Sequence, residues 1–328
     1  MRFHIGRQVS IRAWALPLLA IAFLTSGCNR TQRTTVAVIP KATGDLFWES
    51  VHAGAIKGGW DNKVDVVWDG PPAETDIAGE MKIVETMINR QVDAIVLAPS
   101  DRSAFKIVVN RARAAGIPVI IYDSGLDSQN YTSFVATDNF LGGSMAADRM
   151  GEILKGKGQV VMIKTVPGGA STTAREDGFR SELNKKFPGI KILDERYGMA
   201  SPAVSLAVTE NMITAHPDLD GVFASNESGS AGASQALKNY GGRIKLVGFD
   251  SSPMLIDQLK AGIITSLVIQ DPFRMGETAV NQAVKAIRKE PLQKDMFLAP
   301  RLVDLSNLND PAVQAQIKPD LERYLRGS

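Results

Sequence analysis

Hydrogen-bonding side chains recur at one kind of place along this 328-residue chain: directly after short, apolar, β-rich runs. Lys41 and Asp45 follow Val36–Ile39, Asp123 follows Val119–Tyr122, and Arg175 stands on the stretch after Val160–Ile163. Asn226 follows Val222–Ala224, Asp250 follows Lys245–Phe249, and Gln270 follows Thr265–Ile269. One aromatic pair, Phe47-Trp48, accompanies them. Carboxylates, amides and a guanidinium offer the planar, paired donors and acceptors that hydroxyls require, and aromatic rings pack on the C–H face of a sugar ring. The set predicts a site for a neutral, hydroxyl-rich small molecule.

The same residue types have plainer uses. Asp45 fits a helix N-cap, Phe47-Trp48 fits a helix-opening core pair, and Asp123 before Gly125 fits a turn. Arg175 could be a solvated neighbour of Glu176, and Asn226, Asp250 and Gln270 could cap helices or brace a hinge. Asp138-Asn139 reads as a helix start. Other chemistries find little support. A single cysteine, Cys28, excludes intrachain disulfides, a Cys-ligated zinc and a c-type haem box. His4, His52 and His216 are scattered, with His52 expected on a helix surface and His216 at a helix end, so neither metal nor cofactor is expected. Gly168-Gly169 lacks the Gly-Lys-Ser/Thr of a phosphate loop, and Gly142-Gly143 is too sparse for a dinucleotide fingerprint.

Lys plus Arg number 37 and Asp plus Glu 35, a formal net charge of +2, which gives no electrostatic reason to hold nucleic acid. The first segment reads as an export signal: Arg2, Arg7 and Arg12 precede the apolar run Ala13–Leu24, and no acidic residue occurs before Asp45. Leu24-Thr25-Ser26-Gly27-Cys28 resembles a lipobox, with Thr25 where Leu is usual. The expectation is a signal peptide over 1–27, acylation at Cys28 that anchors the protein to membrane, and a polar tether over 28–33.

Positioning the strand-end residues takes a regular alternation of strands and helices. Candidate strands also cover Val64–Trp68, Ala94–Leu97 and Phe134–Ala136. Apolar stripes at helical spacing include Ile77, Met81, Val84, Met87 and Ile88, then Leu206, Thr209, Met212 and Ile213, and finally Ala279, Val280, Ala283, Val284 and Ile287. Alternation of this kind implies parallel sheets covered by helices on both faces. About ten strands exceed one comfortable doubly wound sheet, so two α/β lobes are expected, with ligands beyond the carboxyl ends of the strands.

An ordered set of motifs then carries a family resemblance: Asp45-Leu46-Phe47-Trp48, Gly116-Ile117-Pro118-Val119 leading to Asp123, Thr137-Asp138-Asn139, Ala174-Arg175-Glu176 with Gly178-Phe179, Phe223-Ala224-Ser225-Asn226, Val247-Gly248-Phe249-Asp250 and Gln270-Asp271-Pro272. Over about Val36 to Val303 the chain resembles the type I periplasmic sugar-binding proteins of ABC importers, the ribose-binding group. The resemblance implies two similar doubly wound lobes joined by a three-segment hinge, one formed by 34–137 plus 271–299 and the other by 138–270 plus 300–328. It implies sugar stacking on Phe47 and Trp48, and hydrogen bonds between the sugar and Asp123, Arg175, Asn226, Asp250 and Gln270. Asp45 stands where that group has Asn, Ser124 where it has Arg, and the third aromatic is missing near Met199-Ala200. Lys41 is an added cation. These departures point to a sugar or polyol other than ribose.

The implied role is a monomeric, non-enzymatic receptor that passes its ligand to membrane permease subunits, or alternatively presents a sugar or autoinducer to a sensor kinase or chemoreceptor. A LacI-type regulator would need a helix-turn-helix domain, and only 33 residues precede Thr34. Paired acids such as Asp45, Asp123 and Asp250 would also suit a glycoside hydrolase, but the ordered motif set points to binding.

Overall fold

The computed structural model describes residues 33–326 and the isolated positions Met1, His4 and Gly6, so the expected signal and Cys28 lie outside the described residues. The chain opens with β1 (Thr35–Ile39), α1 (Leu46–Asn62), β2 (Asp65–Trp68), α2 (Ile77–Asn89), β3 (Ala94–Leu97), α3 (Lys106–Ala114), β4 (Val119–Tyr122) and β5 (Ser133–Thr137). It continues through α4 (Asn139–Ile153), β6 (Lys157–Lys164), α5 (Ala170–Lys186), β7 (Gly189–Tyr197), α6 (Pro202–Ala215), β8 (Gly221–Ala224) and α7 (Glu227–Ala236). Then follow β9 (Lys245–Phe249), α8 (Pro253–Lys260), β10 (Ser266–Ile269), α9 (Pro272–Ile287), β11 (Asp295–Leu298), β12 (Arg301–Val303), α10 (Pro311–Ile317) and α11 (Leu321–Leu325).

Two six-stranded sheets result, ordered β11-β5-β4-β3-β1-β2 and β12-β10-β9-β8-β6-β7. All described pairings are parallel except β10 with β12. The inner strands read as unbroken apolar runs because both of their faces are covered. In the first lobe Val36, Val38, Val96, Ile120 and Tyr122 face one way, packed with residues of α1 and α9. Ala37, Ile39, Ile95, Leu97, Val119 and Ile121 face the other, against α2 and α3. The second lobe repeats the plan, with Val161, Ile163, Val222 and Leu246 on one face and Val160, Met162, Phe223 and Val247 on the other.

Glycine sets the closest helix approaches. A Cβ on Gly54 of α1 would lie 1.9 Å from the Phe273 carbonyl oxygen of α9, and one on Gly143 of α4 would lie 1.9 Å from that of Arg175 in α5. Only hydrogen fits there, so backbone packs directly on backbone.

The chain passes between the sheets three times: after β5, between β10 and α9, and between β11 and β12. A further passage follows β12. Val313 of α10 belongs to the second lobe's core, whereas α11 packs on α1, with Tyr324 5.3 Å from the Trp60 ring and 5.5 Å from the Phe273 ring. Residues 321–325, grouped by the resemblance with the second lobe, therefore lie against the first, where Tyr324 meets the Trp60 and Phe273 rings. His52 is half-buried and stacks on Trp68 at 4.4 Å; the surface position expected for it is not where it lies. No described helix is long and apolar enough to cross a membrane.

Candidate functional site

Lys41, Asp45, Phe47, Trp48, Asp123, Arg175, Asn226, Asp250 and Gln270 all line one cavity between the two sheets. Glu74, Ser171, Thr172 and Glu227, none of them singled out from sequence, complete its wall. The cavity lies beyond the carboxyl ends of strands from both lobes, where open parallel sheets hold ligands.

The first lobe contributes an ion pair and an aromatic floor. Lys41 Nζ lies 2.7 Å from Asp123 Oδ2, and both side chains are buried. Trp48 is 2% exposed; its ring meets Phe47 edge-on at 4.9 Å, and its indole N–H donates to Glu74 Oε1 at 3.2 Å. Asp45 begins α1 as the N-cap residue but makes no side-chain capping bond.

The second lobe contributes a clamped guanidinium. Arg175 donates from Nε to Asn139 Oδ1 at 2.8 Å and from NH1 to the Ser225 carbonyl at 2.9 Å. It lies 4.0 Å over the Phe249 ring, and NH1 is 3.9 Å from Asp250 Oδ2. Asp250 also accepts from Gln270 Nε2 at 2.6 Å and from the Glu227 N–H at 2.9 Å. Gln270 Oε1 accepts from Thr137 Oγ1 at 2.7 Å, tying the ends of β10 and β5 together. Asn226 caps α7 through Gly229 N–H at 2.9 Å, so that function occupies its carbonyl oxygen while its side chain lines the cavity.

The lobes meet directly around the cavity. Ser171 accepts from Lys41 Nζ at 3.2 Å, and its N–H donates to Ser124 Oγ at 3.1 Å. The Phe47 N–H donates to Glu227 Oε2 at 3.3 Å, and the Arg102 N–H donates to the Gly168 carbonyl at 3.0 Å. This is a closed arrangement.

Closure gathers acids. Burial, then Asp250, raises the Asp45 carboxyl above its ordinary value. Burial pushes Glu227 up to about 8, with Asp250 and Asp45 adding to the rise. Burial likewise raises Glu74 against the opposing effect of Lys41, and Asp250 against that of Arg175. Carboxyls so placed accept from hydroxyls when ionised and donate when protonated. Among the described residues no group of His, Cys, Asp and Glu is arranged to hold a metal ion.

Two α/β lobes closed on a polar, aromatic-floored cavity define a small-molecule receptor of the clamshell kind. Family comparison gives it a place: the periplasmic binding protein domain model matches residues 36–291, and the chain belongs to that family. It is 30% identical over 281 residues to the ribose import binding protein of Bacillus subtilis, covering 86% of this chain and 88% of that one. A carbohydrate transporter solute-binding protein from Agrobacterium radiobacter, solved with D-arabinose, is similar with TM-score 0.85 and 35% identity, over 88% of this chain and 99% of that one. An ABC transporter solute-binding protein from Agrobacterium vitis with bound D-fucose is similar with TM-score 0.84 and 32% identity, over 87% of this chain and 100% of that one.

Proposed function

We propose that this protein is the extracytoplasmic solute-binding component of an ABC importer, and that it takes a monosaccharide or polyol into the cleft. The observation that carries this reading is the convergence of Phe47-Trp48 with polar groups of both lobes on one cavity. Ring stacking on the aromatic floor and charge-assisted hydrogen bonds to Asp123, Arg175 and Asp250 favour the closed form over the open one. The lobe 34–137 plus 271–299, with α11 packed on it, and the lobe 138–270 plus 300–320 turn about the three crossings between the sheets. Ligand leaves chemically unchanged to a permease; the protein is no enzyme, uses no cofactor, binds no nucleic acid and works as a monomer. Export by the segment 1–27 and acylation of Cys28 would hold it at the membrane, within reach of that permease.

The test is a thermal-shift screen of pentoses, hexoses and polyols, because a ligand specific to the native state raises the melting temperature. D-Arabinose and D-fucose head the panel. Calorimetry on the hit should then show binding nearly abolished in Asp123→Ala and Arg175→Ala while both variants unfold cooperatively. Unchanged affinity in both variants would refute the cleft assignment.

A further inference from the structure

Helix α1 begins with an N-cap residue that does not cap. Asp138, Ser201, Asn226, Ser252 and Asp271 each accept the backbone N–H of the third residue of their helices, whereas Asp310 before α10, like Asp45, makes no such bond. Asp45 is of the favoured type and has extended backbone, yet its carboxylate makes no such bond. One of the two donors an N-cap can take, the N–H of the second helical residue Phe47, goes instead to Glu227 Oε2 at 3.3 Å. Glu227 opens α7 in the opposite lobe and reaches across the cleft. The Asp45 carboxylate is thereby left to line the cavity.

We propose that Glu227 is a positioning residue that latches the closed form by capping α1 from the other lobe, an exchange that frees Asp45 to accept from the bound sugar. When the lobes part, α1 loses the Glu227 cap and Asp45 takes the Phe47 N–H in its place. Neither state leaves that helix end without an acceptor, so closure exchanges one cap for another and turns a capping carboxylate into a ligand contact. This deepens the sugar-receptor reading and rests on it for the role of Asp45.

The latch has a pH signature. In the closed form Glu227 faces Asp45 at the start of α1, and Asp250 and Ser252 after β9, with the Arg175 guanidinium beyond Asp250. Burial beside two acids pushes its carboxyl to about 8, whereas a solvated Glu titrates near about 4.3. The closed form therefore holds the proton more tightly than the open one. Its advantage from this group is full below the open-state value and is lost as pH rises through the closed-state value.

Calorimetric titration of the mature protein with D-fucose, across about pH 5 to about pH 9, tests this, with Glu227→Gln and Glu227→Ala alongside. Small-angle scattering of the same samples without sugar reads compaction directly. Wild-type affinity should fall with pH by at least about tenfold. Gln keeps the acceptor for Phe47 N–H without the charge, so E227Q should bind with a much flatter profile and stay compact throughout. E227A loses the acceptor and should bind about tenfold more weakly than E227Q at every pH. If E227Q keeps the wild-type slope, or E227A matches E227Q, the latch is overturned. A wild type that ignores D-fucose yet expands with pH, in a way E227Q abolishes, supports the latch and counts against D-fucose as a ligand of the sugar reading. A wild type that binds D-fucose with no change from pH 5 to 9 overturns the latch and keeps that reading.

Discussion

Asp123 and Asp250 hold equivalent places in the two lobes. Each directly follows the third strand from an equivalent edge, β4 and β9, and each has a left-handed backbone, with φ of 57° and 71°. Each donates its N–H to the next strand, to the Val135 carbonyl at 2.9 Å and the Val268 carbonyl at 2.8 Å. Asp and Asn tolerate this conformation better than other non-glycine residues. One device, a left-handed acid at a strand end, thus delivers a carboxylate to the cavity from either side.

The two acids differ in what faces them, which separates the effects of losing their charge. Asp123 is paired with buried Lys41 at 2.7 Å, whereas Asp250 is held mainly by neutral donors, with Arg175 at 3.9 Å. Asn preserves the backbone in both. Asp123→Asn removes the carboxylate that pairs the buried Lys41 ammonium at 2.7 Å and should cost about 3 kcal/mol. Asp250→Asn should cost clearly less. Urea unfolding without ligand measures this difference; equal costs would show that the Lys41 pair adds nothing. Sugar affinity should drop in both variants.

Glu80 predicts a pH dependence of folding that is separate from ligand binding. Its side chain is fully buried, Oε2 accepts the Ser100 N–H at 3.2 Å, and Oε1 has no partner among the described residues. Burial pushes its carboxyl up to about 8. The folded state therefore binds this proton more tightly than the unfolded chain. Its contribution to stability is full below about 4.3 and is lost as pH rises through about 8, by on the order of 5 kcal/mol. Glu80→Gln should flatten the melting temperature against pH above neutrality and leave the variant more stable than wild type at about pH 9. A parallel profile in the two proteins would exclude this group as the source.

Glycine packing predicts a coupling between stability and affinity in one lobe. A methyl at Gly143 must move the α5 backbone at Arg175 itself, since its Cβ would come within 1.9 Å of that carbonyl. Gly143→Ala should cost roughly 2–3 kcal/mol and weaken sugar binding by displacing the guanidinium. Gly54→Ala meets the Phe273 carbonyl at the same distance and should cost as much, with a smaller effect on affinity. Paired thermal melts and titrations of the two variants check the contrast.

The inner strands were legible because burial on both faces writes unbroken apolar runs such as Ala94–Leu97 and Val119–Tyr122. Three edge strands were not. β7 is mostly exposed or half-buried and carries Lys191, Asp194 and Glu195, and β11 and β12 are only four and three residues long. The cavity residues read from sequence directly follow apolar runs or sit in motifs of the family resemblance. Glu74 escaped because it stands on a loop well past the half-exposed β2. Glu227 escaped because an acid in the first turn of a helix already has an ordinary explanation in the helix dipole, and its reach across the cleft depends on how the lobes meet.

Arg175 offers the sharpest test of geometry against charge. Its Nε and NH1 reach two acceptors fixed in different elements, Asn139 Oδ1 at 2.8 Å and the Ser225 carbonyl at 2.9 Å, while its guanidinium carbon lies 4.0 Å from the centre of the Phe249 ring. A lysine keeps the charge but can neither fork nor lie flat on the ring. Arg175→Lys should therefore lower sugar affinity about a hundredfold, nearly as much as Arg175→Ala, at a stability cost of about 1–3 kcal/mol for the unmade bonds. Asn139→Ala removes only the acceptor at Nε and should give an intermediate loss. Because Asn139 acts through Arg175, adding Asn139→Ala to Arg175→Lys should cost little more, a non-additivity that a double-mutant cycle by calorimetry measures. Additive losses would mean that Asn139 meets the sugar on its own account.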